Sequence, residues 1–458
     1  MGLETEMMAE SLPEAIARGT ARQVYRLLRL SAPLLRPLYR QIGLEQRARA
    51  VTALVRIGWN GAAVRTPVKS ELAIVAPEGL REGVACIGHP SAESGVGEAL
   101  RATARGFAAA GVPFTLVGLE GYTTARLDDD SMARHATASL DRRVNLLCDG
   151  LIGAEVALNA LGPRALAGRT NIFRPFWELA KVPDRFAVCL RHFQEIWAPS
   201  EFVRAAFAAS VDIPVLRIPV PVEVTPVVSV TRAKLGLPET ATLFLFAFDP
   251  SSFFVRKNPL AVIEAFTLAF GGAQRADVGL VIKTLHAGPH TSALKTLKAA
   301  IGGDPRIHLI ERTVSRGEMN GLIALCDAYV SLHRAEGFGL GLAEAMALGK
   351  PVVGTAYSGS ADFLSPDTGY PVPFELVPVK PGEYPEPQGQ VWAEPDIGVA
   401  AKHMVAIVDQ PEIAKRLAFA GQTFIKTHHS PAAVGRLMRD RLVALGLLDG
   451  SATAAEPR

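Results

Sequence analysis

One stretch, Asp327 to Leu364, limits what the rest of the chain can be. Ala328-Tyr-Val-Ser-Leu332 is a short apolar run of the kind that forms a buried strand. A Gly-rich turn follows, Glu336-Gly-Phe-Gly-Leu-Gly-Leu-Ala-Glu344. Leu342 to Leu348 reads as a helix start, stopped by Gly349. Pro351-Val-Val-Gly-Thr355 is the next apolar run, and Ser358-Gly-Ser360 opens another helix. Strand, turn, helix and strand in that order make one parallel βαβ unit and place the chain in the α/β class.

The turn has a chemical reading. Gly337, Gly339 and Gly341 remove side chains where a helix begins, and Phe338 and Leu340 alternate with them. A helix start carries unpaired N–H groups and partial positive charge, so a phosphate or sugar oxygen can rest on its backbone. Two acids flank the turn. Carboxylates repel phosphate, so Glu336 and Glu344 suit hydroxyls, and Glu344 suits the vicinal pair of a ribose. The bland alternative makes both ordinary first-turn acids favoured by the helix dipole. A dinucleotide-binding turn fits poorly. Glu344 follows Gly339-x-Gly341 where that fingerprint wants Gly or Ala, and no acid ends the strand Val352 to Thr355.

At 458 residues the chain has room for two or more domains. A net charge of +3 argues against a dedicated nucleic-acid binder. Cys86, Cys148, Cys189 and Cys326 lack metal-ligand spacing, so reduced, buried thiols and a cytoplasmic setting are expected. No apolar run approaches membrane-spanning length, and the acidic first residues do not read as a secretion signal.

Residues 1–75 read as a helical, basic extension. Ile16, Val24, Leu27, Leu28, Leu34, Leu35 and Leu38 have helical spacing, with arginines between them. Residues 1–70 suit packing on the body of the protein or on another subunit, or a peripheral contact with an anionic membrane face. A first α/β domain spans 76–225. It starts with Val84 to Ile87, then His89 and the turn Gly95-Val-Gly97, then a helix over Ala99 to Ala110. Further strands are expected at Pro113–Gly118, Val144–Cys148, Asn171–Phe173 and Glu195–Ala198, with Glu178 between the last two, either facing the cleft or capping a helix beside Trp177. A hinge runs from about Pro219 to Val230.

A second domain spans 226–425. It opens with the apolar strand Leu243 to Phe248, then the loop Asp249 to Asn258, then a helix from Pro259. Arg256 and Lys257 in that loop, and Lys283 at the end of the strand from Gly279, lie at carboxyl ends of predicted parallel strands, where open α/β sheets bind ligands. Such cations neutralise a diphosphate, Arg as a planar fork and Lys as a point charge. The bland alternative is solvated surface charge. Residues from Tyr370 to Pro387 read as a long Pro-rich surface loop, and Trp392 to Asp396 as the start of a helix capped by Asp396. Two last helices run from about Pro411 to Thr427 and Pro431 to Leu447, the stretch 426–448 forms a closing helix, and 449–458 is a disordered tail.

Glu336 to Glu344, Phe176-Trp-Glu-Leu179, Glu195 to Val203 and Lys257 together resemble the signature of retaining glycosyltransferases of family 4. The resemblance covers roughly Gly83 to Leu447. It implies the GT-B fold: α/β, two Rossmann-like domains facing a central cleft, the closing helix returning to the first. It also implies a nucleotide-diphosphate sugar as donor, GDP-mannose ahead of UDP-sugars, no metal or other cofactor, and a glycan or lipid-linked acceptor in surface polysaccharide assembly. Catalysis falls to Glu336, Lys257 and Arg256. Donor binding falls to Ser251, Ser252, Lys283, Gly337 to Gly341 and Glu344, and the acceptor side to His89, Gly95, Gly97 and Glu178. The family's upstream Arg aligns with Ser251 or Ser252, leaving Arg256 or Lys283 to replace it. Rival readings are an epimerase-like enzyme acting on nucleotide sugars and a non-catalytic partner that keeps the fold.

Overall fold

The protein is seen in a computed structural model that describes residue 20 and residues 72–119, 125–225, 230–271, 275–284 and 291–450. The basic helices expected in the N-terminal extension, residues 226–229 of the hinge and the tail from 451 lie outside the described residues.

Two six-stranded parallel sheets carry the fold. The first holds β1 (Arg81–Gly88), β2 (Phe114–Gly118), β3 (Arg142–Gly150), β4 (Thr170–Phe176), β5 (Glu195–Ala198) and β6 (Val215–Arg217), in the order β2-β1-β3-β4-β5-β6. The second holds β7 (Thr242–Phe248), β8 (Val278–Thr284), β9 (Ile307–Glu311), β10 (Ala328–Ser331), β11 (Val352–Thr355) and β12 (Tyr370–Val372), in the order β9-β8-β7-β10-β11-β12. Parallel strands covered on both faces read as continuous apolar runs, and β7 shows this: Leu243, Phe244, Leu245 and Phe246 are all buried. In the second sheet the winding reverses between β7 and β10, which are hydrogen-bonded neighbours. Loops leaving the carboxyl ends of strands at such a reversal frame a crevice. The loop after β7 carries Arg256 and Lys257, and the loop after β10 carries Glu336.

Helix α1 (Gly95–Ala109) follows β1, and α2 (Glu201–Ala208) follows β5. In the second domain α3 (Phe254–Lys257) and α4 (Pro259–Phe270) follow β7, α5 (Arg316–Leu325) follows β9, and α6 (Leu340–Ala347) follows β10. Three more helices end the chain: α7 (Ile397–Asp409), α8 (Pro411–His428) and α9 (Pro431–Ala444). Helix α9 crosses back to the first domain. Any side chain at Gly435 would collide with the Gly106 carbonyl of α1, so the two backbones touch directly. Arg441 of α9 adds an ion pair with Glu195 at 2.6 Å.

Residues 370–395 depart from the sequence reading: Tyr370–Val372, expected in a surface loop, is strand β12 with Tyr370 and Val372 buried. Where a long irregular loop and a helix starting at Trp392 are expected, Phe374–Pro378 (β13) and Val391–Pro395 (β14) form an antiparallel hairpin. Tertiary contact outweighs local propensity here. Trp392 is buried, and the Ala393 N–H donates to the Arg334 carbonyl beside the Glu336 turn. Asp396 does cap a helix, but one beginning at Ile397: its Oδ1 accepts from the Val399 N–H at 2.9 Å. The four cysteines are free and buried, and no helix among the described residues is long and apolar enough to cross a membrane.

Candidate active site

The cation turn is built from unusual backbone. Phe253 and Asn258, on either side of α3, both have positive φ, at 67° and 54°. Asn tolerates this region, and the Asn258 side chain donates to the Leu332 carbonyl at 3.0 Å. Pro259 then starts α4. The loop after β7 is thus fastened to the loop after β10. Arg256 and Lys257 lie in a helical turn, where an open loop is expected from the sequence.

Both cations meet Glu336. Lys257 Nζ is 2.5 Å from Oε1 and Arg256 Nη1 is 3.2 Å from Oε2. Burial alone would push the Glu336 carboxyl up, but Lys257, Arg256 and His333 outweigh it and hold it down at about 2. Arg256 is only 3% exposed. Its fork is taken by the Ala335 carbonyl at 2.8 Å, the Ser252 carbonyl at 3.0 Å, Glu336, and Glu178 at 3.7 Å. Its geometry serves the carboxylates rather than an open diphosphate fork. Lys257 keeps about a fifth of its side chain exposed. Lys283 is buried at the end of β8; burial lowers its pKa against the pull of Asp249. Ser252 contributes its carbonyl, and Ser251 lies in the same single turn, Pro250–Ser252.

The Gly-rich turn is held rigidly. The Glu336 N–H donates to Ser358 Oγ at 2.8 Å, and the Glu336 carbonyl accepts from Gly359 at 2.9 Å. His333 lies between Ser331 Oγ at 3.1 Å and Ser360 Oγ at 3.0 Å, and burial pushes its pKa down to about 4. Gly339 starts α6 with φ of 94°, a conformation glycine adopts freely. Gly341 has a reason the sequence does not display: a side chain there would collide with the Tyr329 hydroxyl, whereas one at Gly337 would meet the Trp177 backbone of the first domain only at ordinary contact distance. Ser200 Oγ, also from the first domain, donates to the Gly337 carbonyl at 2.7 Å. Phe338 is buried against Phe363 and His429, so its ring supports the turn from within the core. Leu340 is half-buried at the first position of α6.

Glu344 sits in a second cluster. It is buried on α6 and pairs with Arg316 of α5. Arg316 also reaches Glu98 of α1 in the first domain, at 3.7 Å. Glu98 in turn binds Arg101 at 3.1 Å and Arg105 at 2.5 Å. Burial raises the Glu344 pKa, with Arg316 only partly offsetting it. For Glu98 burial is outweighed by Arg316, Arg105 and Arg101, and its pKa falls. The expectation of a carboxylate open to ribose is therefore modified: Glu344 already has a cation. Arg316 escaped the sequence reading, although Ser315 and Glu318 form a capping box that fixes it at the first position of α5.

On the first-domain side, Glu178 reaches the cation turn, and Tyr384 from the β13–β14 loop donates to its other oxygen. Glu178 is an interdomain ion-pair partner, not a helix cap. His89 Nε2 lies 3.4 Å from the Asp149 carboxylate of its own sheet. Gly97 is fixed by packing, because a side chain there would collide with the Ala92 carbonyl, while Gly95 faces open space. A cavity of about 380 Å³ lies between α1 and α5, lined by residues that include Glu98, Arg105, Arg316 and Asn320. Among the described residues no three His, Cys, Asp or Glu side chains converge as metal ligands.

Residues 229–375 match the family model of glycosyl transferases group 1. No curated protein sequence matches the chain. Among solved structures the fold is similar to HepE from Anabaena in complex with UDP and glucose, with TM-score 0.58 and 14% identity over 80% of this chain and 100% of that one. It is similar to sucrose-phosphate synthase from Thermosynechococcus elongatus, with TM-score 0.59 and 16% identity over 80% and 99%. A glycosyltransferase from Rickettsia africae gives TM-score 0.55 and 14% identity over 81% and 100%. The fold is GT-B, with two Rossmann-like domains, and together with the matched domain it supports a glycosyltransferase.

Proposed function

We propose that the protein is a retaining glycosyltransferase of the family-4 kind. It moves a hexose from a nucleotide-diphosphate sugar to a glycan or lipid-linked acceptor in surface polysaccharide assembly. One observation carries the reading. Lys257 and Glu336 leave the two strands that flank the winding reversal of the second sheet, and they meet at 2.5 Å.

In this reading Lys257 and the start of α6 neutralise the charge that grows on the leaving diphosphate, the kind of preorganised stabilisation that usually dominates catalysis. Lys283 adds positive charge from the end of β8. Glu336, held ionised, accepts from sugar hydroxyls and fixes the ring. Glu344 accepts from the ribose, exchanging part of its pairing with Arg316. The acceptor hydroxyl enters from the first-domain side and attacks the face the diphosphate leaves. Its proton passes to a donor phosphate oxygen. The new C–O bond forms as the C–O bond to the diphosphate breaks, so configuration is kept without a protein base. The HepE structure with UDP and glucose supports a nucleotide-sugar donor. GDP-mannose remains the first donor to try and UDP-glucose the second.

The test is a thermal-shift screen of GDP-mannose, UDP-glucose, GDP and UDP. A ligand at a hundred times its Kd stabilises by about 2.7 kcal/mol, which is easily read as a shift in Tm. At least one nucleotide sugar and its nucleoside diphosphate should shift Tm. No shift from any of the four at millimolar concentration would overturn the reading.

A further inference from the structure

We propose that Tyr384 and Glu178 are positioning residues for Glu336, acting through Arg256, so that the hairpin loop makes the catalytic carboxylate depend on the first domain being in place. The proposal rests on the role given to Glu336 above.

The contacts form one chain through three parts of the molecule. Tyr384, in the β13–β14 loop, donates to Glu178 Oε2. Glu178, just after β4 in the first domain, faces Arg256 Nη2 at 3.7 Å through its other oxygen. Arg256, from the second domain, gives Nη1 to Glu336 Oε2 at 3.2 Å. A guanidinium so deeply buried needs its charge balanced, and its planar fork fixes the direction of each N–H. Nη2 lies between the Ser252 carbonyl at 3.0 Å and Glu178, while Nη1 is aimed at Glu336 and the Ala335 carbonyl. Glu178 is the charged acceptor on the Nη2 side, so without it the balance of charge across the fork shifts toward Glu336, and the face of Glu336 offered to a sugar shifts with it.

The hydroxyl of Tyr384 is separable from the rest of the loop. Its ring packs on Phe253 with centroids 4.7 Å apart and on Trp177 at 5.8 Å. The loop has its own ties to the first domain: Gln390 Nε2 donates to the Lys181 carbonyl at 2.8 Å, and Arg185 pairs with Glu386 at 2.7 Å. Arg334 also holds β14 to the cation turn, through Glu394 at 2.6 Å and the Val255 carbonyl at 2.8 Å. Tyr384→Phe therefore removes one O–H from a loop that stays where it is.

The experiment compares Tyr384→Phe, Glu178→Gln, Glu336→Gln and the double variant Tyr384→Phe/Glu336→Gln in the full chain. Rates are followed as nucleoside diphosphate released from GDP-mannose and from UDP-glucose. Unfolding temperatures are recorded for all four. We expect kcat to fall about tenfold in Tyr384→Phe and further in Glu178→Gln, with donor KM within twofold of wild type. In the Glu336→Gln background the Tyr384 change should have no further effect on kcat, because groups acting as one unit are non-additive. The Tm losses of the two single changes should likewise sum to more than the loss in the double variant, a readout that needs no substrate. Equal, independent losses in both measurements overturn the proposal. So does a wild-type kcat in Tyr384→Phe and Glu178→Gln while Glu336→Gln is impaired. Full activity in Glu336→Gln would instead overturn the role of Glu336 itself. Should Glu178→Gln fail to fold, Tyr384→Phe carries the test alone.

Discussion

The two acids that bracket the Gly-rich turn occupy opposite electrostatic settings. Glu336 has two cations on one carboxylate and stays ionised, with its pKa held at about 2. Glu344 shares one cation, Arg316, with the buried Glu98 of the other domain, and its pKa is raised. Glu344 is buried, Glu336 is mostly shielded, and both face an arginine, so pairing with an arginine alone does not separate them. The number of cations in direct contact does: two on Glu336, one on Glu344. That excess keeps Glu336 a permanent acceptor, with Lys257 still partly exposed toward a diphosphate. The single, shared cation at Glu344 makes its state sensitive to whatever else approaches it.

The largest expected effect tests the excess. Lys257→Ala should lower transfer by at least about a thousandfold, or roughly 4 kcal/mol in the barrier, while the protein stays folded. Glu336 would keep Arg256 as a partner, so no buried carboxylate is orphaned. Steady-state release of nucleoside diphosphate and an unfolding curve settle both halves. Wild-type activity in Lys257→Ala would remove its role at the diphosphate and, with it, the functional side of the contrast.

Acid unfolding tests the two settings directly. A group whose folded pKa lies below its ordinary value gives stability that is present above that value and lost as pH falls through the folded one. For Glu336 this window runs from its ordinary 4.5 down to about 2. The shift corresponds to a stability contribution on the order of 3 kcal/mol. Glu344, with a raised pKa, has the opposite sign: protonation relieves it, so wild type gains on a Glu344→Gln variant as pH falls. In denaturant titrations from pH 6 to pH 3, the advantage of wild type over Glu336→Gln should narrow. Its standing against Glu344→Gln should improve. Parallel curves for both variants would mean that the two carboxylates sit in equivalent fields.

Much of this arrangement is readable in the sequence, and the unreadable part has physical causes. Ala328 to Leu332 and Val352 to Thr355 are apolar runs that form strands because both faces of a parallel sheet are covered. The adjacency of Arg256, Lys257 and Glu336 follows from strand order, since loops after β7 and β10 must meet at the winding reversal. What fills the space beside a glycine leaves no local trace. Gly341 yields room to the hydroxyl of Tyr329, a residue of the sheet beneath it. The β13–β14 hairpin is hidden by Pro381, Pro385 and Pro387 in its connection and shaped by Trp392 packing at long range. The Arg316 bridge depends on how the two domains meet, which no periodicity within either one encodes.

The smallest effect concerns that bridge. In Arg316→Gln, Glu344 loses the cation that partly offsets its burial, while Glu98 keeps Arg101 and Arg105. The Glu344 pKa should climb further. An ionised carboxylate accepts from both ribose hydroxyls, whereas a protonated one gives up part of that capacity to its own O–H. Across a pH series, UDP and GDP affinity in the variant should therefore reach its high-pH value at a higher pH than in wild type, with a several-fold difference where the two curves part most, about 1 kcal/mol, the size of one hydrogen bond. Calorimetric titration of both proteins across the series gives the comparison, and the wild-type curve cancels the titration of the nucleotide phosphates. The same pH dependence in the two proteins would mean either that Glu344 does not touch the ribose or that Arg316 does not govern it. Glu344→Gln then separates these: unchanged affinity identifies the first, weakened affinity the second.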